Sequence, residues 1–161
     1  MSKYNITENK QQRPAAYRTT VSPEVMDELQ RKVIQKIVVE KCSRDKNSPA
    51  RQLAQDLGTN TRYISAVVNN RFHKNYTELV NGYRVEEAMS LMVDRRYQKT
   101  NIEDISAMVG FSNRQSFYAA FYRFVGKTPR QYRVEELEKR AIDTTPKKRG
   151  RKPKNRQEGN A

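Results

Sequence analysis

Apolar residues recur at three- and four-residue intervals along most of the chain, and no segment shows the period of two that marks a strand. Val25, Leu29, Val33 and Ile37, with Ile34 and Val38 beside them, make the first stripe, which runs to about Lys41. It opens at Ser22-Pro23, where serine suits an N-cap and proline suits a first turn that has no use for its missing N–H. Ser48-Pro49 repeats that signal ahead of a short helix holding Leu53, Ala54 and Leu57, which Gly58 ends. Asn60 can cap the next helix, with Ile64, Val67 and Val68 on one face. Asn75 and Glu78 have the spacing of a capping box, and behind them a longer helix carries Leu79, Tyr83, Val85, Ala88, Met89 and Met92. Asn101 with Asp104 opens another short helix, containing Ile102, Ile105 and Val109 and closed by Gly110. Ser112 is the expected cap of the following one, which turns Phe117, Ala120, Phe121 and Phe124 inward and stops at Gly126. Thr128-Pro129 starts a last helix through roughly Ile142. The expected fold is all-α, with about seven helices.

Two of these stretches repeat each other. Leu53-Ala54-x-x-Leu57-Gly58 aligns with Ile105-Ser106-x-x-Val109-Gly110, and each precedes a capped second helix. That is the logic of a helix-turn-helix: a small residue lets two helices cross closely, and glycine accepts the left-handed backbone at the turn. The expected organisation is a first unit at about 48–72, a linker helix at about 75–94, a second unit at about 101–126 and a C-terminal helix at about 128–142. On a helical period, Arg62, Ser65, Ala66 and Asn69 lie opposite Ile64, Val67 and Val68, and Arg114, Gln115, Tyr118 and Tyr122 lie away from Phe117, Phe121 and Phe124. Side chains of these types pair with base edges and phosphates. The candidate contacts are Thr61, Arg62, Tyr63, Ser65 and Asn69 in the first unit and Asn113, Arg114, Gln115, Ser116, Tyr118 and Tyr122 in the second. A linker of roughly 27 Å at about 1.5 Å per residue suits two recognition helices about one DNA turn apart. Because the two faces differ in sequence, the expected site is asymmetric.

Charge sharpens this picture. The net charge is +14, of which residues 1–20 hold +3 and residues 144–161 hold +6. Both ends lack periodicity and read as disordered tails around a mixed-charge folded domain at 21–143. The surplus favours a polyanionic partner. One cysteine, Cys42, and one histidine, His73, cannot assemble an ordinary zinc site, and no other cofactor is implied. Lys41 slightly favours a Cys42 thiolate, but there is no second cysteine to resolve an oxidised one. His73 sits in a connection and reads as solvated, as do Glu86-Glu87 and Glu135-Glu136, so no catalytic constellation stands out. The polar start has no signal-peptide core, and no apolar run approaches the roughly 20 residues of a membrane span. A cytoplasmic protein is expected.

The run Gly110-Phe111-Ser112 through Phe117, Phe121, Gly126, Pro129 and Tyr132-Arg133 closely resembles the DNA-binding domain of the AraC/XylS family. Tyr83-Arg84-Val85-x-x-Ala88 resembles the start of that family's linker helix, and the resemblance spans about residues 48–133. It implies a bacterial, nucleoid-associated transcription regulator on double-stranded DNA, with RNA polymerase as a candidate partner. Members often carry a basic or polar side chain where this chain has Ala66 and Ala119. An alanine there can touch a thymine methyl but cannot hydrogen-bond a base, which leaves more of the readout to Arg62 and Arg114. Arg84 is expected in a structural ion pair. No small-molecule effector is evident, and a monomer or weak dimer is expected. The helix from Ser22 to Lys41 either packs on the first unit or mediates self-association, and packing is favoured.

The C-terminal run Lys147-Lys148-Arg149-Gly150-Arg151-Lys152-Pro153 resembles an AT-hook, with Lys152 intervening before the proline. Lys148, Arg149, Gly150, Arg151 and Lys152 are candidates for minor-groove or phosphate contacts. A plain basic tail adding salt-sensitive affinity is the alternative. Two other functional classes stay open at this point: an architectural protein binding A·T-rich DNA with low specificity, and a protein-interaction adaptor.

Overall fold

The computed structural model describes residues 21–144, so the expected tails, including the AT-hook-like run, lie outside the described residues. Within them there are seven α-helices and no strand: α1 (Pro23–Ile34), α2 (Ala50–Asp56), α3 (Thr61–Phe72), α4 (Tyr76–Val93), α5 (Ile102–Met108), α6 (Arg114–Val125) and α7 (Pro129–Thr144). A π-helical turn, Gln35–Val39, extends α1, and short 3-10 turns lie at Cys42–Arg44 and Arg95–Tyr97.

Most of the expected caps form. Ser22 accepts the Val25 amide at 3.4 Å, Asn60 that of Tyr63 at 3.0 Å, and Asn101 that of Asp104 at 2.7 Å. Asn75 and Glu78 complete a reciprocal capping box at 2.9 and 3.1 Å. Two expected caps are displaced. Ser48 does not cap α2; its hydroxyl faces the Tyr76 hydroxyl at 3.5 Å. At α6 it is Asn113 rather than Ser112 that accepts the Ser116 amide, because the helix begins one residue later than its apolar stripe suggests.

Helix α4 is the spine. Its first half contributes Leu79 and Val80 to a core with Val33, Ile37, Leu53, Ala54, Ile64 and Val68. Its second half gives Val85, Ala88 and Met92 to a second core with Ile102, Ile105, Val109, Phe111, Phe117, Ala120 and Phe121. Rings in that second core meet edge-on, with centroids 5.1 Å apart for Phe111 and Phe117 and 5.6 Å apart for Phe117 and Phe121. Helix α1 packs on the first unit, where Met26 and Leu29 cover Ala66 and Val67 of α3. Its buried line runs Met26, Leu29, Val33, Ile37, so Val25 and Val38 fall to the flank and stay exposed.

Glu87 corrects the reading of a solvated pair. Its side chain is only 13% exposed, and it accepts Lys41 at 2.6 Å together with Arg44. Burial pushes its pKa upward, but hydrogen bonds from Arg44 and Lys41 outweigh that and hold it below the ordinary carboxylate value. A depressed pKa stabilises the fold above the unfolded value, and that contribution fades as pH falls through the folded value. Urea unfolding between about pH 5 and pH 3 should therefore cost the parent more stability than Glu87→Gln, so that the two converge in acid. Parallel pH profiles would show that the cluster does not form. Cys42 departs from expectation in the opposite sense: partial burial raises its thiol pKa rather than favouring the thiolate.

Candidate nucleic-acid interface

Both repeats fold as helix-turn-helix units. Ala54 and Ser106 are buried where the helices cross, and Gly58 and Gly110 adopt φ +62 and +103 at the turns. Each second helix begins at an asparagine cap, which lifts its first turn clear of the core.

On α3, Thr61 and Arg62 are exposed at that first turn, and the Arg62 guanidinium makes no hydrogen bond or ion pair to another described residue. Ser65 and Asn69 follow, half-buried, and Asn69 donates to the Ser65 carbonyl of its own helix at 2.9 Å. Tyr63 leans toward α1 and packs beside Met26 and Leu29. Ala66 is 0% exposed, which removes it from the recognition face. The cause is α1: it covers a second side of α3, and the α3 sequence alone shows only the stripe that packs on α2.

On α6, Arg114, Gln115, Ser116, Ala119 and Tyr122 are exposed, while the Asn113 side chain serves as the cap. Arg114 stacks over the Tyr118 ring at 4.8 Å and approaches Glu103 at 3.5 Å. That exposed pair is weak, and phosphate or a base edge can compete for the guanidinium. The helical period puts Tyr118 on the free face, but it sits half-buried, edge-on to Phe117 at 5.9 Å. The helical period turns Phe124 inward, yet it is 37% exposed, lying near Gly82 of α4 with the Lys74 ammonium 5.5 Å from its ring centroid. The side of α6 near Phe124 faces α4, and glycine at position 82 leaves a shallow seat there.

The two recognition helices border one cleft. It encloses about 1100 Å³ between Ser65 of α3, Ser116, Ala119 and Arg123 of α6, the first turn of α4 and the 46–50 segment. Lys46, Asn47 and Arg123 also stand on its walls, although the apolar pattern of the sequence does not single them out. Arg123 lies seven residues after Ser116 and four after Ala119, a helical spacing that marks it as part of the same face. It pairs with Glu78 of the α4 capping box. Arg84, expected in an ion pair, instead donates to the backbone carbonyls of Ser43 at 2.6 Å and Asp45 at 2.9 Å.

The sequence matches a helix-turn-helix domain family over residues 53–135, about half of the chain. The chain belongs to the AraC-type helix-turn-helix family. This family is a DNA-binding regulatory domain rather than an enzyme class, and the chain is a DNA-binding protein of transcription regulation. Solved structures share its fold. The C-terminal domain of AraT, a response regulator from Geobacillus stearothermophilus, superposes with a TM-score of 0.57 at 24% identity, covering 71% of this chain and 86% of that one. A protein of unknown function from Listeria innocua gives 0.55 at 22% identity, covering 71% and 98%. The C-terminal domain of the two-component response regulator yesN from Fusobacterium nucleatum gives 0.51 at 24%, covering 66% and 96%. No curated protein sequence matches significantly. Among the described residues of this AraC-type chain, no helix is long and apolar enough to cross a membrane, and no cluster of His, Cys, Asp and Glu is arranged to hold a metal ion.

Proposed function

We propose that one chain reads an asymmetric duplex site by inserting the first turns of α3 and α6 into successive major-groove segments. The observation that carries this reading is that both recognition helices border one cleft, α3 through Ser65 and α6 through Ser116, Ala119 and Arg123, while their polar first turns stay exposed. Eighteen residues of α4 span about 27 Å at about 1.5 Å each, close to the roughly 34 Å turn of the duplex. Thr61, Arg62 and Ser65 would meet one half-site, and Arg114, Gln115, Ser116 and Tyr122 the other. Ala119 offers an apolar contact to a thymine methyl. Lys148, Arg149, Gly150, Arg151 and Lys152 would add minor-groove or phosphate contacts beyond these half-sites. A single chain carries both readers, so a monomer suffices, and the reading requires no small-molecule effector.

The test is selection from a random duplex library at about 150 mM salt, an ionic strength at which nonspecific phosphate binding is weakened. It uses the full chain and a chain ending at Asp143. The expected result is one asymmetric motif, with two half-sites about a turn apart, shared by both proteins. Loss of the tail should weaken binding to every duplex and flatten its salt dependence. Enrichment of A·T content alone, vanishing with the tail, would replace the reading with an architectural one. No enrichment in either protein would favour a protein-interaction role.

A further inference from the structure

Besides α4, a second tie runs between the two units. Lys41, in the left-handed conformation at φ 54, ends the extension of α1 and turns the chain into a tight strap, Cys42–Arg44, before it re-enters the first unit at α2. The strap lies ahead of the residues that match the family, and it presses against the turn of the second unit. A Cβ on Gly110 would stand 2.5 Å from the Ser43 carbonyl oxygen and 2.8 Å from that of Arg44. The middle of α4 holds the strap from below. Arg84 donates to the Ser43 and Asp45 carbonyls, and its guanidinium lies 5.5 Å from the centroid of the Phe111 ring, one residue past that glycine. One turn further along α4, Glu87 binds both Lys41 and Arg44. Ser43 is buried at this junction, and its hydroxyl donates to the Ile37 carbonyl at 3.4 Å.

We infer that the strap, through Arg44, Arg84 and Glu87, fixes the angle and separation of the two recognition helices and so sets the half-site spacing that the protein accepts. The inference rests on the proposed two-half-site reading. Its physical basis is that a backbone-to-backbone contact cannot yield by rotating a side chain. The turn preceding α6 is therefore held against a segment continuous with α1 and α2, the elements that carry α3. Arg44, Arg84 and Glu87 are positioning residues: none is among the candidate base contacts, and Arg84, which reaches the wall of the cleft, spends its guanidinium on the Ser43 and Asp45 carbonyls.

The experiment compares the parent with Glu87→Gln and with the Arg44→Ala/Arg84→Ala double variant, each checked for a cooperative thermal transition. Binding is measured on duplexes carrying the two selected half-sites at the preferred spacing, with one or two base pairs inserted, and on a single half-site. The parent should lose at least tenfold in affinity per inserted base pair. The variants should lose several-fold less on insertion while binding the single half-site as the parent does. A folded variant that keeps the parent's full insertion penalty overturns the inference. In parallel, spin labels at Asn70→Cys on α3 and Arg130→Cys on α7, in a Cys42→Ala background, report the distance distribution without DNA. It should be narrow in the otherwise unchanged chain and broadened when Arg44 and Arg84 are removed. If the parent shows no insertion penalty, the two-half-site reading fails, and an unbroadened distribution then overturns the strap separately.

Discussion

Gly110→Ala is expected to lower the thermal midpoint by on the order of 10 °C, the largest stability loss from adding a single methyl group to this chain. Two costs combine. At φ +103 an alanine pays roughly 1–2 kcal/mol for a left-handed backbone that glycine adopts freely. Its Cβ would also enter the space of two carbonyls, at 2.5 and 2.8 Å, an overpacking that typically costs about 1–3 kcal/mol. The carbonyls cannot swing aside cheaply, since Arg84 holds the Ser43 oxygen by a hydrogen bond at 2.6 Å. Gly58→Ala is the matched control. It occupies the equivalent turn at φ +62, but nothing lies within 4 Å of its added Cβ, so only the backbone cost of about 1 kcal/mol applies. Calorimetric melts of the two variants separate the terms. Equal shifts would mean that the strap does not touch the second turn in solution.

That contrast also shows how far the sequence could be read. Both glycines are legible as helix-turn-helix turns, because a left-handed residue closing a short helix is a local signal. The different work they do is not legible, because Ser43 meets Gly110 across 67 positions of chain. The same division runs through the site. Arg62, Gln115 and the two asparagine-capped first turns follow from spacing within one helix. Ala66 leaves the recognition face because α1 folds over it, and Tyr118 turns inward against the second core, to which α4 and α5 contribute. Ser48 satisfies every local requirement for a cap, yet its hydroxyl meets that of Tyr76, 28 residues further on. Periodicity within α6 assigns Phe124 to the interior, but the neighbouring α4 presents Gly82 there and only a shallow seat. Local chemistry thus accounts for the elements and for the polar tips. The margins of each face depend on a neighbour that the helix's own pattern does not contain.

Replacing Arg62 and Arg114 together with alanine is expected to weaken binding at the selected site by a hundredfold or more, while binding to unrelated duplexes falls far less. Each arginine that reads a base is worth about 1–3 kcal/mol of discrimination, and about 1.4 kcal/mol is a factor of ten. The two sit on different recognition helices, at corresponding exposed first turns, so their losses should add nearly independently. Their starting states differ. The Arg62 guanidinium makes no hydrogen bond or ion pair to another described residue, whereas Arg114 must give up its 3.5 Å approach to Glu103 to reach DNA. Glu103→Gln should consequently leave Arg62-dependent readout untouched and strengthen binding through the second unit slightly, because exposed pairs of this kind are worth at most about 1 kcal/mol. Fluorescence anisotropy on the selected duplex and on a scrambled one, at matched salt, measures the parent, the double variant and Glu103→Gln. A double variant that loses equal affinity on both duplexes would make the arginines phosphate contacts, and sequence readout would then have to come from Gln115, Ser65 and Ser116.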